Sequence, residues 1–162
     1  MNRSGLACAG WLALAGLGLA SQSGVKLAIV NESPSLQKGL YLRGLSAPQA
    51  GAIVALPPPP GARAYLAGLG FPTSVLLLKR IAAVEGDMVC AAGDTLVTPQ
   101  GREQLHIRDR RGRMLPRWHG CGRLKSGELF LLGDTDESFD SRYFGPVRTA
   151  DLKGVFWGAV TW

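Results

Sequence analysis

The sequence predicts one mainly β domain, residues 26–162, behind an apolar N-terminal segment, residues 1–25. Three observations lead there. Short apolar runs are bounded by Gly, Pro and Asp, four consecutive prolines (Pro57 to Pro60) interrupt the chain, and residues 4–25 carry no charge. A length of 162 residues with 46% hydrophobic and 19% charged side chains suits a single globular core.

Taken in order, the N-terminal segment comes first. Arg3 precedes the apolar stretch Leu6 to Ala20, the pattern of an export signal or signal anchor. Extension to Val25 gives enough length for a tilted transmembrane helix, so a retained anchor is favoured. The alternative is a cleaved signal peptide, since Gly18-Leu19-Ala20 offers small residues at a cleavage point. Candidate strands follow at Lys26–Val30, Gly39–Arg43, Ala52–Leu56, Val75–Val84, Met88–Ala91, Leu96–Thr98, Leu105–Arg108, Glu128–Leu132 and Gly154–Thr161. Pro57 to Pro60 start a loop, and a short helix is predicted over Arg63–Leu69. Residues 99–127 hold seven arginines, Arg102, Arg108, Arg110, Arg111, Arg113, Arg117 and Arg123, and read as a solvent-facing hairpin insertion. The other reading of those arginines is contact with anionic lipid or a partner.

Charge and cysteines bear on location. The net charge is +6, yet the basic residues are not interleaved with a nucleic-acid-binding motif, so attraction to a membrane surface is the expectation and nucleic acid is not a predicted partner. Cys90 and Cys121 both fall in the domain placed outside the cytoplasm. They are a candidate disulfide, with two free thiols as the alternative. No Cys or His set has metal-ligand spacing, and no cofactor is implied. His106 and His119 lie in the Arg-rich segment without a nearby carboxylate at motif spacing. Together with the lack of a Gly-x-Ser-x-Gly elbow, this argues against a Ser-His-Asp triad and leaves both histidines as surface or structural residues.

A serine hydroxyl needs an adjacent base to attack a peptide carbonyl. Ser35, in Asn31-Glu32-Ser33-Pro34-Ser35-Leu36-Gln37-Lys38-Gly39-Leu40-Tyr41, and Lys79, in Leu76-Leu77-Leu78-Lys79-Arg80-Ile81, are the candidate nucleophile and base. Lysine serves only when neutral, and burial among apolar neighbours such as Leu77 and Ile81 favours that form.

With a third block, Gly133-Asp134-Thr135-Asp136-Glu137-Ser138-Phe139-Asp140-Ser141-Arg142-Tyr143-Phe144-Gly145-Pro146, the order of these runs resembles the type I signal peptidases that use a serine–lysine dyad. The spelling of the first and third blocks is most similar to the TraF-type peptidases of conjugative transfer. That resemblance implies a signal-peptidase-like antiparallel β-sheet or barrel, and an oxyanion site formed by the Ser35 N–H and the Ser33 hydroxyl. Ser138 is then expected to orient the lysine amine, and Asp140 to belong to the active site and pair with Arg80 or Arg142. Three positions depart from the family pattern: Gln37 and Glu85 stand where prolines are usual, and Thr135 replaces an asparagine. Without a proline ring at Gln37 to fix φ, a more mobile nucleophile loop is expected.

The implied function is a membrane-anchored serine endopeptidase of the bacterial inner membrane with its catalytic domain on the periplasmic side. Its expected substrate is a membrane-inserted precursor, a pilin subunit matured or cyclised for a conjugative apparatus. The alternatives are a general type I signal peptidase that removes leader peptides and a catalytically silent scaffold of a secretion apparatus.

Overall fold

Alternating apolar residues set two antiparallel sheets, which the computed structural model describes over residues 25–162. Strands β1 (Ala28–Asn31), β2 (Gly39–Arg43), β3 (Ile53–Leu56), β4 (Leu77–Ala83), β9 (Glu128–Leu132), β10 (Val147–Arg148) and β11 (Gly154–Thr161) form the larger sheet, ordered β1-β2-β11-β3-β4-β9-β10. Strands β5 (Met88–Ala92), β6 (Thr95–Thr98), β7 (Gly101–Gln104) and β8 (Cys121–Arg123) form the smaller one, ordered β7-β6-β5-β8. The pairings are antiparallel throughout, and the larger sheet is open, with β1 and β10 at its edges.

The apolar run Leu129–Leu132 shows how a strand can lack polar alternation. Successive side chains of a strand point to opposite faces. Leu129 and Leu131 join one core with Val54, Leu56, Ile81 and Val155, whereas Phe130 and Leu132 join a second with Val89, Leu96 and Leu105 of the smaller sheet and its flank. Both faces of β9 are therefore covered, and each fully buried Leu or Phe contributes about 2 to 3 kcal/mol. A third cluster, Leu36, Tyr41, Ala55, Leu78 and Phe156, lies under the β1–β2 loop that carries Ser35.

Most predicted strands form with ends moved by a few residues, and the departures have local causes. Helix α1 spans Pro60–Gly68 and so starts before Arg63, because proline's fixed φ and missing N–H are tolerated in a first helical turn. The predicted strand Leu105–Arg108 does not form. The chain pairs earlier, as β7 against β6, and then turns inward with Leu105 only 2% exposed. A narrow hairpin tip forms instead between β7 and β8, where the bridge Arg108 to Met114 is flanked by the Asp109 N–H to the Arg113 carbonyl and the Leu115 N–H to the Ile107 carbonyl, at 2.9 Å each. Strands β8 and β10 are short additions to sheet edges, and helix α2 is the single turn Ser141–Phe144. Cys90 and Cys121 stand directly opposite each other on β5 and β8 and are disulfide-bonded. The predicted anchor lies outside the described residues apart from Val25, and no helix among those described is long and apolar enough to cross a membrane.

Candidate active site

Asn31 ends β1 and organises the loop that follows. Its side-chain amide donates to the carbonyls of Ser33 (3.0 Å), Leu36 (3.2 Å) and Gln37 (3.1 Å), while its Oδ1 accepts from the Ser33 N–H (3.2 Å). Tyr41 Oη donates to the Gln37 carbonyl at 2.6 Å. The loop missing a proline at position 37 is thus fastened from β1 and β2 instead. Ser35 sits in it at 6% exposure, and its carbonyl accepts from the Asp134 N–H at 2.6 Å. Ser33 Oγ lies 3.0 Å from Ser35 Oγ and 3.3 Å from the Ser35 nitrogen, so the two serine side chains share one small polar space.

Lys79 reaches the same region from β4. Strand alternation puts it on the face of Leu77 and Ile81, which belong to the Val54–Leu131 core, and leaves it 4% exposed. Its Nζ donates to Ser138 Oγ at 2.8 Å, whereas the hydrogen bond of Ser35 Oγ is with Ser33. Burial lowers the Lys79 pKa from 10.5 to about 8; Asp140 pulls it upward and Arg142 downward. Those two charges are paired with each other and largely offset, so desolvation sets the outcome.

The Asp140–Arg142 pair is the most deeply buried ion pair among the described residues, at 0% and 1% exposure. Arg142 Nε and Nη2 fork onto the two carboxylate oxygens at 2.9 and 2.7 Å, and Asp140 also caps α2 by accepting from the Arg142 N–H at 3.1 Å. Two of the three remaining guanidinium N–H groups go to the carbonyls of Asp136 (3.1 Å) and Thr135 (2.8 Å), and Glu103 Oε2 lies 3.7 Å from Nη1, which compensates a charge that would otherwise be costly to bury. The third-block loop is thereby closed around Arg142. Asp140 Oδ2 further accepts from the Gly133 N–H at 2.9 Å.

Arg80 does not meet Asp140. As the next residue on β4 it emerges on the opposite face and forks onto Asp134 at 2.8 Å for both bonds, with a third bond to the Gly51 carbonyl at 3.0 Å. Its support reaches Ser35 through Asp134, whose backbone holds the Ser35 carbonyl.

Gly133 joins these parts. A Cβ there would lie 2.1 Å from Ser138 Oγ, 2.5 Å from Ser138 Cβ and 2.7 Å from the Ser35 carbonyl oxygen. Since its φ is not positive, the requirement for glycine is space alone. Ser138 and Asp140 are legible in the third block as site residues, whereas the roles of Gly133 and Asn31 are not legible from the motifs. An Asn at a strand end before Ser-Pro is a sequence signal for a side-chain-stabilised turn, but the close approach at Gly133 has no one-dimensional signal.

Ser35, Lys79 and Ser138 all line one cleft of about 640 Å³, walled by Val75–Leu78 on one side and by Tyr65, Phe139 and Tyr143 on another. Phe139 stacks on Tyr65 and Tyr143 at 4.4 and 5.6 Å between ring centres. His106 is also in this wall, not on the outer surface: its backbone N–H donates to Tyr143 Oη at 3.4 Å, and its Nε2 is buried without a hydrogen-bond partner among the described residues.

The family model for signal peptidase, peptidase S26, matches residues 7–159. The chain belongs to the S26 signal peptidase family. Among relatives of this S26 chain, the plasmid transfer protein TraF of Escherichia coli is 34% identical over 97% of the chain and 94% of the relative. The conjugal transfer protein TraF of Agrobacterium fabrum is 33% identical, with 78% of each covered. A solved signal peptidase I from Enterococcus faecalis V583 is similar at 22% identity, with a TM-score of 0.41, over 69% of this chain and 98% of that one. The resemblance carried by the three blocks is thus established, and this S26 chain is of the TraF type.

Proposed function

We propose that this S26 protein is a serine endopeptidase in which Ser35 is the nucleophile and Lys79 the general base, and that it processes an exported precursor at the inner membrane, a pilin subunit of a conjugative system. The observation that carries the reading is Lys79: an amine 4% exposed, with its pKa brought down to about 8, hydrogen-bonded to Ser138 in the cleft that Ser35 lines. A surface lysine would have none of these properties.

In the proposed reaction neutral Lys79 takes the Ser35 proton as Oγ bonds to the scissile carbonyl carbon. The oxyanion is stabilised by the Ser35 N–H and by the Ser33 hydroxyl, which turns from Ser35 Oγ to the new charge; one such donor is worth about 3 to 4 kcal/mol. Collapse breaks the C–N bond, and the Lys79 ammonium protonates the departing amine. Water then releases a linear product, or the precursor's own amino terminus attacks the ester and closes a cyclic one. Asp140, Arg142 and Arg80 take no proton in this scheme and hold the Ser138 and Ser35 loops in place.

The transfer role is favoured over general leader removal by the two relatives called transfer proteins, one covered over 94% of its length. Co-expression with the small hydrophobic subunit encoded nearby, followed by its intact mass, tests the reading. Shortening that requires Ser35 is expected, with a product lighter by one water marking cyclisation. An identical mass with Ser35→Ala would end the proposal.

A further inference from the structure

The Arg-rich segment largely keeps the solvent exposure expected of it, and its residues 108–111 also line the cleft. Asp109 accepts from Tyr65 Oη at 2.9 Å and from the Arg111 and Arg113 N–H groups at 2.8 Å each, and Arg113 Nη1 donates to the Gly68 carbonyl at 2.8 Å. These bonds fasten residues 107–115 to α1, and Arg108, Arg110 and Arg111 line the cleft that contains Ser35 and Lys79.

Charge there is unbalanced. Residues 108–113 contain four arginines and one aspartate, and Asp109 is engaged by Tyr65 and backbone amides. Glu137 pairs with Arg110. Arg108 bonds a neutral carbonyl, that of Gly112, and Arg111 makes no side-chain hydrogen bond or ion pair among the described residues. Two exposed guanidinium groups therefore lack a carboxylate at the rim of a cleft whose floor, Val75 to Leu78, is apolar.

We infer that Arg108 and Arg111 determine specificity by holding a carboxylate of the polypeptide in the cleft, either an Asp or Glu side chain or a free C-terminus, while the apolar floor takes its neighbours. This rests on the peptidase reading for the identity of the occupant. A planar guanidinium fits a carboxylate or a phosphate in two-pronged fashion, and the place of both arginines in the cleft lined by Ser35 and Lys79 favours a polypeptide carboxylate over a lipid headgroup. Because the groups are solvated, the preference is modest and falls with salt.

The test uses the full chain carrying Ser35→Ala in nonionic detergent and alanine-rich peptides labelled with an uncharged dye. One set has a C-terminal amide and a single Glu scanned along it, one has Gln instead, and one has Gln with a free C-terminal carboxylate. Anisotropy is expected to show at least one carboxylate peptide binding roughly twofold to fivefold tighter than its neutral counterpart at low salt, the set that does so naming the source. The preference should vanish in the Arg108→Gln/Arg111→Gln variant, checked for folding by circular dichroism. Equal binding, no binding of any peptide, or a preference that survives both substitutions would overturn the inference. So would a double variant that loses only its sedimentation with phosphatidylglycerol vesicles, since the arginines would then serve lipid. Cleavage of the same peptides by the chain with Ser35 intact is read separately. Its absence beside an intact preference counts against the peptidase and not against carboxylate recognition.

Discussion

Replacing Gly133 with alanine tests whether the site is assembled by space as much as by reactive groups. The new methyl carbon would lie 2.1 Å from Ser138 Oγ, where ordinary contact begins at 3.4 Å, so Ser138 must retreat by about 1 Å or more. That hydroxyl accepts from Lys79 Nζ at 2.8 Å, and the retreat breaks the bond that orients the amine. On the other side, the Ser35 carbonyl at 2.7 Å is backbone and is pinned by the Asp134 N–H, so the strain passes to the Ser35 loop. Overpacking of this kind costs about 1 to 3 kcal/mol of stability, and an ångström of misplacement costs about 100-fold in rate. Under the Ser35–Lys79 scheme, kcat/KM for precursor processing by Gly133→Ala should fall about 100-fold while the urea midpoint shows a folded protein. A double-mutant cycle adds the discriminating reading. Ser138→Gly removes both Ser138 atoms from the new methyl, so Gly133→Ala should cost markedly less in that background, the remainder coming from the Ser35 carbonyl. Full activity of Gly133→Ala, or additive losses in the cycle, would refute the reasoning.

Lys79 should appear as an acid limb in kcat/KM with an apparent pKa of about 8, so that activity at pH 6 is about 100-fold below its plateau; a limb near 10.5, or none, would contradict it. The same shift acts on stability. The folded chain binds fewer protons than the unfolded one between about 8 and 10.5, so stability rises with pH across that window and the burden of the buried ammonium is fully present below about 8, on the order of 3 kcal/mol. Lys79→Met should therefore be inactive yet more stable than the parent at pH 6, by about 1 to 2 kcal/mol after loss of the Ser138 hydrogen bond, as read from urea midpoints. Asp140→Ala leaves the buried Arg142 charge with only the Glu103 carboxylate, 3.7 Å from its Nη1, and should cost about 3 to 5 kcal/mol along with most of the activity; an unshifted melting temperature with full activity would exclude a supporting role. Removing the Cys90–Cys121 bond, which closes a loop of 31 residues, should cost about 3 to 4 kcal/mol in the chain-entropy model, checked by unfolding of Cys90→Ser/Cys121→Ser.

What the sequence made legible divides by the range of the interaction. Leu129–Leu132 and Ile53–Leu56 announce themselves as strands because the local pattern is all that a strand buried on both faces needs. The ends of α1 moved because Pro60 serves as a helix start where a run of prolines looks like a loop. Ser35, Lys79, Ser138 and Asp140 could be named from spelling, since family motifs preserve the order of residues. The partner of Asp140 could not be chosen between Arg80 and Arg142, because that choice depends on which face of β4 each arginine takes and on a loop that folds back around its own guanidinium. The arginines after residue 105 were opaque for a related reason. Composition reports their charge, but Leu105 and the Asp109–Tyr65 bond turn that charge toward the cleft, across 44 residues of chain. A basic run is solvated by default, and it becomes part of a site only when a buried anchor and one spent carboxylate hold it there. The same logic makes Asp109 the informative residue of the run 108–113: it carries the single negative charge there among four positive ones, and by spending it on Tyr65 and the backbone the chain leaves Arg108 and Arg111 of the rim without a carboxylate.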